Sequence, residues 1–111
     1  MNAKRSSKKH EADLLGRLES ADDGWRVVGD MNFVSVPVLL SQGRNLLDFS
    51  SELRIDLQEV DHADSAGLAL MLEWLDFSRS GGGRISYRNV PESLTNIARV
   101  SNMPDLLPIE K

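Results

Sequence analysis

The chain has 111 residues, 41% of them hydrophobic and 27% charged, with no cysteine, which is enough for one domain with its own core and excludes disulfides, thiolate catalysis and thiolate metal sites. No apolar run approaches the roughly 18 residues needed to span a bilayer, and the signal-peptide pattern is missing, so a cytoplasmic protein is expected. The formal charge of −4 conceals an asymmetry: Lys4, Arg5, Lys8 and Lys9 lie in the first ten residues, leaving nine basic against seventeen acidic groups in residues 11–111, and an acidic body argues against a nucleic-acid-binding surface.

Residues 1–11 are expected to be a basic, solvated and disordered tail, although such a charge run could also touch anionic lipid or a partner. Residues 12–111 form the domain. Asp13–Glu19 and Trp25–Gly29 flank Ser20-Ala21-Asp22-Asp23-Gly24, whose turn chemistry predicts an antiparallel hairpin. Ser35 can cap a helix over 36–48, with Val36, Leu39, Leu40, Gly43 and Leu47 spaced by three and four and Pro37 in the first turn. Leu53 to Leu57 alternates apolar and charged residues as a strand does. The next helix is expected over 65–80, ended by Gly81-Gly82-Gly83. Arg84–Arg88 resumes a period of two, and Pro91 leads into a helix with Leu94, Ile97, Ala98 and Ser101 on one face, stopped by Pro104. The order β-β-α-β-α-β-α predicts a small mixed α/β sheet, parallel pairs beside an antiparallel edge hairpin, with helices mainly on one face.

The stretch Asp61-His62-Ala63-Asp64-Ser65-Ala66-Gly67-Leu68-Ala69-Leu70 places a hydroxyl at a strand-to-helix corner. There Ser65 or Asp64 can cap the helix, and a phosphate on Ser65 would meet free backbone N–H groups and the positive end of the helix dipole. Phosphorylation would also bring a dianion beside Asp61 and Asp64, so attraction and repulsion compete for stability, while desolvating the dianion would weaken an apolar interface.

Along the helix that follows, Leu68, Met71, Leu72 and Leu75 fall on one side, the expected sheet-facing stripe. Ala66, Leu70, Trp74 and Phe77 form a second apolar stripe nearly opposite. Two stripes need two neighbours. The second neighbour is either another helix of this chain or a partner protein.

Catalytic chemistry is not indicated. His62 lies among Asp61, Asp64 and Ser65, but consecutive residues in a tight corner point in different directions, no G-x-S-x-G elbow is present, and the other histidine is in the basic tail. The triple glycine precedes a strand and no Gly-Lys-Ser/Thr follows it, so it is no nucleotide-phosphate loop. Neither a metal nor a cofactor is expected.

Gly29-Asp30-Met31, Leu53–Leu57, Asp64-Ser65-Ala66-Gly67-Leu68, the Gly82-Gly83 turn and the Pro91–Leu94 helix start together resemble the STAS family of sulfate transporters and anti-sigma-factor antagonists, over about residues 14–109. The antagonists imply Ser65 as a phospho-acceptor and an anti-sigma kinase as partner. Ala66–Leu70 and the ending Ser101-Asn102-Met103-Pro104-Asp105-Leu106-Leu107-Pro108 are more similar to the MlaB-like, toluene-tolerance branch, although Thr is frequent there where this chain has Ser65. That branch implies a non-catalytic subunit bound to the ATPase of an ABC transporter that maintains outer-membrane lipid asymmetry, held at the inner face of the inner membrane. By that resemblance Ser65 and Asp64, and Ala66, Leu70, Trp74 and Phe77, are the expected contacts.

Overall fold

Asp22 and Asp23 make the two-residue turn that folds strand β1 (Arg17–Ala21) onto β2 (Gly24–Met31), with Ala21 paired to Gly24 and Arg17 to Val28. The computed structural model describes residues 16–102 and 107–110, so the basic tail, Leu14, Leu15 and Pro104 lie outside the described residues. Then come helix α1 (Val36–Leu46), β3 (Glu52–Asp56), β4 (Val60–Ala63), helix α2 (Ser65–Gly81), β5 (Arg84–Arg88) and helix α3 (Glu92–Val100). The expected mixed α/β sheet is present, in the order β1-β2-β3-β5, antiparallel at the hairpin and parallel elsewhere. Strand β4 was not anticipated: it pairs parallel with β2 through Gly29↔Val60 and Met31↔Ala63.

Alternation along the strands decides which face is covered. Leu18, Val27, Leu53, Ile55, Ile85 and Tyr87 are buried, whereas Glu52, Arg54 and Arg84 between them are exposed, so the helices cover one face and the other carries charge. Both sheet edges are protected. Ile109 bridges to Tyr87 on the outer side of β5, and on β1 the side-chain oxygen of Gln42 accepts the Leu18 N–H at 2.8 Å.

Helix α2 is the centre of the core, with Leu68, Leu70, Met71, Trp74 and Ser78 buried. The Tyr87 hydroxyl, buried from β5, donates to the Met71 carbonyl at 2.7 Å and pins the helix to the sheet. The glycines at its end have different reasons: Gly82 takes φ +84° in open space, whereas a Cβ on Gly83 would lie 2.3 Å from the Ser51 carbonyl oxygen.

Helix α1 supplies the second neighbour that α2 needed. A Cβ on Gly43 would come within 2.7 Å of Trp74 Nε1, so the bare backbone of α1 lies directly on the indole. The start of α1 also differs from expectation, because Ser35 makes no side-chain cap. The chain makes a helical turn one step earlier: Asn32 Oδ1 accepts the N–H groups of Val34 and Ser35 at 3.0 Å each, and the Asn32 carbonyl accepts that of Val36 at 2.9 Å. The buried Ser35 hydroxyl accepts the Asn32 N–H at 2.9 Å instead.

Candidate functional site

The corner is assembled where β2 and β4 end together. Met31 is paired to Ala63, and the Asp64 N–H donates to the Met31 carbonyl at 3.2 Å. The backbone at Asp64 is extended, and its carboxylate accepts the Ala66 N–H at 2.8 Å while its carbonyl accepts the Gly67 N–H at 2.9 Å. Asp64 is therefore the N-cap. Gly67 completes the corner by packing: a Cβ there would stand 2.7 Å from the Met31 carbonyl oxygen and 3.3 Å from Leu94 of α3.

Ser65, the first residue of α2, is left exposed, and its hydroxyl makes no hydrogen bond among the described residues. The two residues that sequence reasoning placed together thus divide the work: the carboxylate of Asp64 holds the helix, and the hydroxyl of Ser65 is free to meet something else.

The rest of the expected contact set is divided between core and surface. Leu70 and Trp74 are buried, which corrects the reading of the stripe as an open docking face, and at Trp74 the Gly43 backbone of α1 occupies the place of a partner. Ala66 is half-buried beside the corner. Phe77 is half-buried, packed edge-on against Phe49 with ring centroids 5.3 Å apart and under the Arg44 guanidinium at 6.0 Å.

His62 turns to β2 rather than to Ser65. Its Nδ1 lies 3.3 Å from Asp30 Oδ1, with the imidazole 81% exposed, and no base reaches the Ser65 hydroxyl among the described residues. No cluster of three or more His, Asp or Glu among them could hold a metal ion, and no described helix is long and apolar enough to cross a membrane.

Beside the corner lies a feature that the sequence reading overlooked. Phe33 is 76% and Val34 65% exposed on the turn that leaves β2 two residues after Met31, and Val38, in the first turn of α1, is 37% exposed. The signal was present as Phe33-Val34 bracketed by Asn32 and Ser35, two apolar residues at a helix start whose polar neighbours satisfy the backbone.

The uncovered sheet face offers a shallow depression lined by Arg26, Asp56, Asp23 and Arg88. Its charges are already matched: Arg26 lies 3.2 Å from Glu19, and Arg88 lies 2.9 Å from Asp23. The hydrogen bond from Arg17 above all holds the Glu19 carboxyl below the usual carboxylate range, against an opposing desolvation and with a lesser contribution from the Arg26 hydrogen bond. Such exposed pairs contribute little to stability.

The family model of the MlaB-type STAS domain matches residues 16–108. The anti-sigma-B factor antagonist of Bacillus subtilis (strain 168) is 26% identical over 83 residues, 75% of this chain and 76% of that protein. The intermembrane phospholipid transport system binding protein MlaB of Escherichia coli (strain K12) is 34% identical over 55 residues, 49% of this chain and 57% of that protein. Among solved structures, an anti-sigma factor antagonist from Mycobacterium paratuberculosis matches with a TM-score of 0.62 at 19% identity, covering 85% of this chain and 82% of that one. The unphosphorylated form of the antagonist SpoIIAA matches at 0.61 and 15% identity, covering 86% and 88%. At these identities the two structures establish the fold.

Proposed function

This chain belongs to the STAS domain family, and we propose that it is a non-catalytic docking subunit that binds and regulates the cytoplasmic ATPase of a phospholipid-moving ABC transporter. In this reading the subunit stays at the inner face of the inner membrane through its complex and serves outer-membrane lipid asymmetry. The observation that carries it is the free, exposed hydroxyl of Ser65 on a corner held rigid by Asp64, Gly67 and Met31. A hydroxyl with no internal partner can exchange water for a partner's hydrogen bond at little cost. The 34% identity to MlaB supports the choice of partner.

A second reading is a phospho-switch that captures an anti-sigma kinase, favoured by the same free hydroxyl at the first position of a 17-residue helix and by the longer match to the Bacillus subtilis antagonist. Binding of the purified full chain to the purified ATPase subunit and, separately, to an anti-sigma kinase of the same organism distinguishes the two. The transporter reading expects saturable binding to the ATPase that Ser65→Asp weakens, with an unmodified intact mass for cell-derived protein. Binding to the kinase alone, with one phosphate added to Ser65, would replace it with the switch.

A further inference from the structure

We propose that Phe33, Val34 and Val38 form an apolar anchor beside Ser65 that inserts into an apolar socket rimmed by Lys or Arg on the partner protein. This rests on the docking reading above and adds the residues and the partner chemistry that the Ser65 corner alone does not supply.

Three observations meet here. Phe33 and Val34 are the most exposed large apolar side chains on this end of the sheet, at 76% and 65%, and Val38 stands four residues after Val34, on the same side of the turn that opens α1. They are held outward by a braced backbone. Asn32 Oδ1 takes the N–H groups of Val34 and Ser35, and the fully buried Ser35 hydroxyl takes that of Asn32, so the turn is already in one conformation before any partner arrives. Preorganised aromatic side chains lose little entropy on binding and are the usual anchors of interfaces. The third observation is position: Met31, two residues before Phe33, is hydrogen-bonded to Asp64, one residue before Ser65.

Charge selects the occupant. The neighbouring corner carries the carboxylates of Asp61, exposed, and Asp64, half-buried, and residues 11–111 hold nine basic against seventeen acidic groups. Outside the basic residues 4–9, that body repels an anionic lipid surface, and the corner repels a second copy presenting the same carboxylates. A protein socket with an apolar floor and cationic rim is complementary to both features.

The test uses the full chain and the purified transporter ATPase subunit, with Kd measured by calorimetry for wild type, Phe33→Ala, Asp61→Lys and Leu46→Ala. Leu46 is a partly exposed apolar residue at the far end of α1, roughly 15 Å along the helix axis from the anchor, and serves as the control. Phe33→Ala is expected to weaken binding at least tenfold with an unchanged melting temperature. Asp61→Lys is expected to weaken it several-fold, as is raising NaCl from 50 to 300 mM, while Leu46→Ala leaves Kd alone. Wild-type binding that Ser65→Asp weakens but Phe33→Ala does not would overturn the anchor and leave the docking reading standing. No wild-type binding to the ATPase would overturn the transporter reading and the anchor with it. Sedimentation with phosphatidylglycerol and phosphatidylethanolamine vesicles that is lost in Phe33→Ala, without an effect of that variant on ATPase binding, would assign the patch to a membrane instead.

Discussion

Gly43 of α1 and Trp74 of α2 touch so closely that a Cβ on the glycine would sit 2.7 Å from the indole Nε1 and 3.1 Å from Cε2. Trp74 is fully buried, so the ring has nowhere to retreat. Alanine favours a helix over glycine by about 1 kcal/mol, but overpacking costs about 1–3 kcal/mol. Gly43→Ala is expected to destabilise the wild type by about 1 kcal/mol in urea denaturation. In a Trp74→Leu background, where Nε1 and Cε2 have no counterpart, the same substitution is expected to stabilise. The same sign in both backgrounds would show that the contact does not limit the site.

Asp64 and Ser65 are separable by stability alone. Asp64→Ala removes the acceptor of the Ala66 N–H and is expected to cost about 1 kcal/mol. Ser65→Ala removes a hydroxyl without an internal partner and is expected to change stability by less than about 0.5 kcal/mol. Urea denaturation of both variants checks the assignment, and the opposite ranking would make the serine the cap.

Tyr87 is the chain's single tyrosine, so its phenolate absorbance reports one site. Burial raises its pKa well above the ordinary value near 10. The folded state therefore keeps a proton that the unfolded state releases, and stability is expected to fall as pH rises above about 10. In an alkaline titration the phenolate band should appear together with loss of circular dichroism, not before it. Tyr87→Phe, which loses the hydrogen bond to Met71, should be about 0.5–1.5 kcal/mol less stable at pH 7 and less sensitive to base.

Gln42 covers a donor on an edge strand. Gln42→Ala leaves the Leu18 N–H open on the outer side of β1, where a strand from another molecule can pair with it. The expected result is concentration-dependent association in size-exclusion chromatography with light scattering, absent in the wild type and in Gln42→Glu, which keeps an acceptor. A monomeric Gln42→Ala at high concentration would rule out the guarding role.

The sequence was most legible where a period runs for several residues. The alternation of Leu53, Ile55 and Leu57 and the spacing along residues 65–80 placed β3 and α2 nearly to the residue. Strand β4 was hidden because Val60-Asp61-His62-Ala63 is four residues with no buried apolar side chain, and it exists through its register with β2. The second stripe of α2 showed the need for a neighbour but not its identity. That was encoded in what Gly43 lacks, and a missing side chain becomes informative only when Trp74 is known to lie opposite. At the corner, two adjacent residues could each cap, and only the extended backbone of Asp64 decided between them. The exposed Phe33-Val34 pair escaped attention because helix and strand periods do not flag a three-residue turn.

Helices α1 and α2 both begin at the end of the sheet where β2 and β4 stop, so the residues facing outward there lie on the exposed side of β4, on the turn after β2 and at the first position of α2 rather than in the packed stripes. The exposed positions at this end are thereby largely separate from those that hold the fold together. Exchange of Phe33, Val34 or Ser65 is expected to leave the melting point nearly where it was, so this end of the molecule tolerates changes of surface chemistry that the packed stripes do not.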